Sequence, residues 1–347
     1  MARYNPGMRR RKGLLFVIAL LLILAGGYTA FWFVAAGKME QGLGEWAEAA
    51  RAQKIAASWR SLRVAGFPFA FRLELSDAAL RDEAINPPTD IRMPLLSASA
   101  HPWSFGVWHL AAPQGVSAVA GSEPKPVARM SANAAEGAVS AAPEGGATIW
   151  LSLDAPRLES SEPVGARKAD LWLILPARAP ATHHDSNIAL AADLHELKLP
   201  QVPNPFRNLL DELAFGVTVK GSIPSGPPRQ AATAWRDEGG TAELDNLTLR
   251  WGSLAVSGSG TLALDSDLQP MGAVSGAVEG YDELMNALVA AGRMKASDAR
   301  LARIGLAMLA KAGPSGRPAI TASFTVQNGE MFLGPAKLGA APKIPWD

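Results

Sequence analysis

Between Lys12 and Lys38 the chain runs for 25 residues without a charge, GLLFVIALLLILAGGYTAFWFVAAG. That stretch fixes the solvent in which the rest must fold. At about 1.5 Å per residue it makes a helix of roughly 37 Å, longer than a hydrocarbon core of about 30 Å. Arg9, Arg10, Arg11 and Lys12 precede it directly, and such a basic flank is held on the cytoplasmic side of a membrane. Tyr28, Phe31, Trp32 and Phe33 crowd its far end, where an interfacial aromatic belt would lie. A cleaved signal peptide is the rival, since Val34-Ala35-Ala36 resembles a small-residue cleavage site. Its apolar core would have to exceed the usual span of about 7–15 residues. The expected organisation is a cytoplasmic tail over 1–12, a transmembrane anchor over 13–37, and a periplasmic body over 38–347.

The body alternates. In WGSLAVSGSGTLALDSDLQP, beginning at Trp251, the residues Leu254, Val256, Gly258, Gly260, Leu262 and Leu264 share one face. Ala255, Ser257, Ser259, Thr261, Ala263 and Asp265 take the other, which is the period of a strand wetted on one side. GFPFAFRLELSD places Phe67, Phe69, Phe71, Leu73 and Leu75 together, with Pro68 confining the start of that strand to an edge or a turn. Further alternation falls at 95–101, 148–153, 171–175, 188–199, 215–220 and 320–326. Two runs slip register, and a slip reverses the faces unless an extra residue absorbs it, so bulges are expected near His195 and Asp245. Gly/Pro/Ser-rich stretches at about 112–146, 156–167, 176–187 and 221–234 read as loops.

Helical spacing appears in four places. Met39, Leu43, Trp46 and Ala50 mark a short amphipathic helix after the span. Asn204 and Pro205 suit the start of a helix carrying Phe206, Leu209, Leu210 and Leu213. A C-terminal hairpin over 281–312 pairs YDELMNALVAAG with a second stripe of Leu301, Ile304, Gly305, Met308 and Leu309. The fold class is therefore mainly β: a transmembrane helix, then a long curved antiparallel sheet, as a groove or an open barrel, with a few short helices.

Chemistry-bearing motifs are sparse. The five basic residues before the span exceed the whole net charge of +1, so the remainder is mildly acidic and offers no stripe for a phosphate backbone. That argues against nucleic acid as a partner. No cysteine means no disulfide, thiolate metal site or cysteine nucleophile. His183, His184 and Asp185 fall in a Pro/Ala-rich stretch and read as a solvated loop rather than a metal cluster. His101 and His109 lie among tryptophans as strand-edge residues. Asp265 and Asp267 open like a calcium loop but lack the remaining ligands, so a polar turn is the reading. No nucleophile elbow, phosphate loop or dinucleotide fingerprint is present. The expectation is a protein without enzymatic activity, catalytic residues, metal or cofactor.

The block AWRDEGGTAELDNLTLRWGSLAVSGSGTLALDSDLQPMGAVSGAVEGYDELMNALVAAG, with GFPFAFRL and FTVQNGEMFLGPAKLG, resembles the alphaproteobacterial domain of unknown function 2125 family. The positions that carry it are Trp235, Gly239, Gly240, Trp251, Gly252, Gly260, Leu262, Leu264, Asp265, Pro270, Gly272, Gly280 and Tyr281. The resemblance implies one N-terminal span and a periplasmic body. The strand texture also resembles AsmA-like envelope proteins, whose long sheets have an apolar concave face and some of which are implicated in moving phospholipid.

A sheet with one apolar face needs a cover. If lipid supplies it, Phe69, Phe71, Leu73, Leu254, Val256, Leu262 and Leu264 are the candidate contacts, with a phospholipid or another apolar ligand as partner. The alternative is a non-enzymatic structural or assembly factor that meets another envelope protein.

Overall fold

The computed structural model describes the chain except for residues 1–5, 123, 143, 201–206, 293, 314, 334–335, 342 and 347. Helix α1 (Pro6–Arg51) leads into one antiparallel sheet of 21 strands that curves in a ring. The uncharged stretch and the amphipathic stretch that follows it are one continuous helix. Leu15–Arg51 is long and apolar enough to cross a membrane, and its most apolar window is almost wholly unburied.

Toward the C-terminal end of α1, Ala47 and Ala50 are buried, while Met39 and Leu43 pack on the sheet and Trp46 points away. The receiving surface is β1 (Ile55–Ser58) and β2 (Ser61–Ala65), which lie end to end along β3 (Phe71–Asp82). Phe71 is wholly buried, its ring stacked 5.1 Å from that of Trp32. Trp32 therefore faces the sheet rather than the surroundings, and Phe31 and Phe33 are its outward neighbours. Phe67 and Phe69 lie in the turn before β3, not in the strand expected for them. The reason is local: Gly66 takes φ +101°, and the amide of Ala70 donates to the Gly66 carbonyl, closing a tight turn.

From β3 the chain meanders. β4 (Thr89–His101) pairs along its two halves with β5 (Ser104–Ala112) and β6 (Val116–Ala120). Next come β7 (Ala128–Ala132) and β8 (Ala134–Ala141), then β9 (Ala147–Asp154) and β10 (Arg157–Glu159), then β11 (Val164–Gly165) and β12 (Lys168–Leu175). Each pair is one long strand broken in the middle, and both halves of the last meet β13 (Ser186–Lys198). The breaks line up across the sheet. Asn133 donates its amide to Asp154, Ala155 to Arg167, and Arg167 to His195. Asp77, Ala155 and Glu196 hold positive φ on this line, and Arg60–Asp77 and Arg167–Glu196 ion pairs of 2.7 and 2.8 Å sit on it. It is a crease.

The crease explains two departures from expectation. The segment 112–146 is mostly strand (β6, β7 and β8): the crease at Asn133 splits one long strand into β7 and β8, whose Ala, Ser and Gly residues carry little alternation. The irregularity expected at His195 is the left-handed Glu196, without a register shift there; the shift on that strand lies between Ser186 and Ile188.

Beyond the crease follow β14 (Leu209–Lys220), α2 (Pro228–Asp237), β15 (Thr241–Trp251), β16 (Leu254–Leu264) and β17 (Pro270–Glu279). The bulge at Asp245 is present, since pairing shifts by one residue between Leu244 and Leu247. Helices α3 (Tyr281–Ala290) and α4 (Ala296–Leu309) form the expected hairpin. Then come β18 (Lys311–Ala312), β19 (Pro318–Gln327), β20 (Glu330–Leu333) and β21 (Ala336–Ala340). Leu209, Leu210 and Leu213 belong to β14, not to a helix; Asn204, Pro205 and Phe206 lie outside the described residues. Their helical spacing is a by-product of the crease, where a three-residue step from Leu210 to Leu213 matches Leu194 to Leu197 on β13. Helix α2 was expected as loop. Pro228 at its first turn starts it, and Trp235 anchors it by donating to the Lys220 carbonyl at 2.7 Å.

Candidate functional site, an apolar groove on the sheet

Directly paired residues of an antiparallel sheet share a face, so register alone shows what each face carries. One row crosses eight strands from β9 to β19 as Leu151, Leu171, Ala192, Phe215, Leu247, Gly258, Gly276 and Ala322. A second runs beside it as Leu153, Ala169, Leu194, Leu213, Leu249, Val256, Val278 and Ile320. A third runs on the other side from Ile149 through Leu173, Leu190, Val217 and Leu244 to Val274 and Phe324. None of the three holds a polar side chain. The row between the first two, on the opposite face, reads Ser152, Asp170, Asp193, Ala214, Thr248, Ser257, Ala277 and Thr321. The bulge at Asp245 is what keeps Leu244 and Leu247 on one face.

Helices close the ends of this face and leave its middle open. At one end Trp235 and Ala232 of α2, with Trp346, border an open hollow of about 340 Å³ over Val219 and Leu264. At the other, Leu284 and Ala287 of α3 sit over Leu254. Between them lie two apolar hollows of about 350 and 380 Å³. The first is lined by Leu151, Leu171, Leu190 and Phe215, and the second by Leu247, Val256, Val274, Val278 and Phe324. Leu171 and Leu190 remain 37% and 46% exposed, which is unusual for large apolar residues in the middle of a sheet.

Glycine shapes the floor of the second hollow. Gly258 and Gly276 face each other there, and a Cβ on Gly276 would come within 2.0 Å of the Ser257 carbonyl oxygen. The backbones of β16 and β17 approach so closely that no side chain fits between Leu247 and Ala322. The hollow is therefore a feature of the main chain.

The expected contact residues divide into three sets. Val256 and Leu262 lie on the open face, Leu262 one row beyond the third, level with Val219 and Val326. Leu254 and Leu264 lie on the same face but under α3 and α2. Phe71 and Leu73 are covered by α1 and belong to its core clusters, whereas Phe69 is 69% exposed in the turn beside the helix. Sequence reasoning missed Leu151, Leu171, Leu190 and Phe215, although each stood in an alternating run. The absent signal was register, which tells which runs lie side by side.

The polar residues make no comparable assembly. Among the described residues no three His, Asp or Glu side chains gather as a metal group. His183 and His184 sit 3.9 Å apart in a turn where Asp185 accepts from Ala181 and Thr182. Asp265 accepts from the amides of Asp267 and Gln269, which makes its loop a polar turn. Asp170, on the polar face, is buried; burial works against its charge, but hydrogen bonds from Lys168 and Ser152 prevail and hold its carboxyl below the ordinary value.

A family model described as "Uncharacterized protein conserved in bacteria (DUF2125)" matches residues 32–342, which takes in the whole sheet, α2 to α4 and α1 from Trp32 onward. No curated protein and no solved structure matches the chain.

Proposed function

The chain belongs to the DUF2125 family of uncharacterized bacterial proteins, and from that premise we propose an envelope protein, held in the inner membrane by α1, that binds lipid on its sheet. The observation that carries this reading is the uncharged face running unbroken from β9 to β19 between two strand-end helices, with its middle left open. Each buried CH₂ is worth about 0.8 kcal/mol, so an acyl chain of ordinary length along the face would gain on the order of 10 kcal/mol gross. Phe67, Phe69, Trp103 and Phe105 support the placement. All four are exposed, and Phe67 packs on Trp32 and Phe33 in the last apolar turns of α1. In this reading the end of the sheet nearest the anchor rests at the bilayer surface, where aromatic residues are favoured.

The run Arg9, Arg10, Arg11 and Lys12 before the span supports a cytoplasmic N-terminus, and in this reading the sheet lies in the periplasm. A reporter active only outside the cytoplasm, fused after Asp347, is expected to be active; an inactive fusion reverses the orientation. The lipid reading is tested with Val256→Asp, purified beside the parent protein under one detergent protocol. The expected outcome is less phospholipid extracted per folded molecule, with the β-rich circular dichroism unchanged. A parent protein that carries no lipid would favour the second reading, a non-enzymatic assembly factor whose groove takes a protein segment.

A further inference from the structure

Helix α4 is inside out. Its one buried residue is Ala299, which packs toward the body, and at about 100° per residue Met308 lies directly opposite. Leu301 and Ile304 flank Met308 on that outward pole. Their exposures are 71% for Leu301, 59% for Ile304 and 83% for Met308, and neighbouring Leu309 is also exposed. A solvent-facing helix normally turns such residues inward. The hairpin itself is anchored: Tyr281 and Met285 of α3 are buried, and Arg303 pairs with Asp282 and Asn286. Lys295 just before the helix, Arg300 on its flank and Lys311 just beyond its end are all exposed and without a carboxylate partner among the described residues, and Asp298 is the one acid between them.

We propose that the outward face of α4 docks on the surface of an anionic phospholipid bilayer. Leu301, Ile304 and Met308 enter the acyl boundary, and Lys295, Arg300 and Lys311 meet the headgroup phosphates. The charge pattern selects this occupant over a second protein, since an exposed apolar stripe on a segment carrying three unpaired cations against one acid is the composition of an interfacial helix. The docking surface lies about eleven strand steps from β3, roughly 50 Å along the sheet, so it gives the far end of the apolar face a membrane contact of its own. It does not depend on the groove holding lipid.

The absence of cysteine makes the test direct. Full-length protein carrying Met308→Cys, labelled with an environment-sensitive fluorophore, is reconstituted into vesicles of phosphatidylethanolamine and phosphatidylglycerol. Further vesicles of the same composition are then added. The expected result is a blue-shifted emission quenched by nitroxide-bearing lipid, with no such response from a probe at Ser259→Cys on the polar face of the sheet. Quenching by the host bilayer or by the added vesicles both support docking, and their comparison says which membrane is touched. Leu301→Glu with Ile304→Glu is expected to weaken vesicle binding at least tenfold (an order-of-magnitude figure) without altering the fold, since both side chains are already in water. Exchanging Lys295, Arg300 and Lys311 for Gln is expected to cost about tenfold and remove the salt dependence. Val256→Asp leaves these signals intact, so the groove reading and this one fail separately. A probe at Met308→Cys that stays open to a water-soluble quencher and is blind to lipid nitroxides overturns the proposal.

Discussion

The first strands of the sheet and its middle use the same alternation for opposite purposes. On β3 the apolar face of Phe71, Leu73 and Leu75 is pressed against α1 and is core. On β12 and β13 the equivalent face of Leu171, Leu173 and Leu190 has no helix over it and is surface. Nothing within either strand distinguishes them. What differs is the supply of covering helices: α1 takes the first strands, α2 and α3 take strand ends farther on, and the middle receives none. A period-2 pattern specifies a face. Whether the face becomes core or binding surface is decided by elements elsewhere in the chain.

The largest expected effect attacks the covered end. Phe71→Asp leaves a void beneath Trp32 and buries an unpaired charge, and should destabilise the protein by about 5 kcal/mol, or prevent folding. Leu190→Asp, on a side chain 46% exposed, should cost at most about 1 kcal/mol while reducing bound lipid. Denaturant midpoints measured beside lipid content separate the two. Equal destabilisation would mean that the middle face is covered after all, and the contrast between covered end and open middle would collapse.

The sequence showed the strands, the long apolar N-terminal helix, the C-terminal hairpin and the bulge at Asp245, because each rests on local periodicity or a local break in it. The crease was illegible. Its parts are single residues such as Asp77, Ala155 and Glu196, scattered through the chain and aligned only by pairing. It misled in two places, making 112–146 look like loop and Leu209, Leu210 and Leu213 look helical. The groove was half legible. Val256 and Leu262 stood out by alternation, whereas Phe215 and Leu171 become its neighbours only through register. The exposure of Met308 was hidden for a related reason, since a helical stripe does not say which way it turns.

The smallest expected effect concerns the tie that holds the hairpin to the far end, and it sharpens the contrast by asking which region loosens first. Glu279 ends β17 just before α3, and its buried carboxylate accepts from the Ser315 hydroxyl and amide and pairs with Arg317 at 3.2 Å. The Ser315 hydrogen bonds, and after them Arg317, hold its carboxyl below the ordinary value against the opposing effect of burial. A carboxyl depressed in the folded state contributes stability that is complete above its unfolded pKa, about 4.3, and is lost as pH falls through the folded value. The parent protein should therefore lose stability through that acid window, and Glu279→Gln should lose less of it there while being slightly less stable at neutral pH. Hydrogen exchange read by region is the decisive measurement. Because Glu279 binds the loop that closes the hairpin, acid should raise exchange in 281–312 before it does so in β12 to β14. Uniform acceleration across both regions would mean that hairpin and groove open as one unit, and α4 could not then move toward a membrane without disturbing the face beside it.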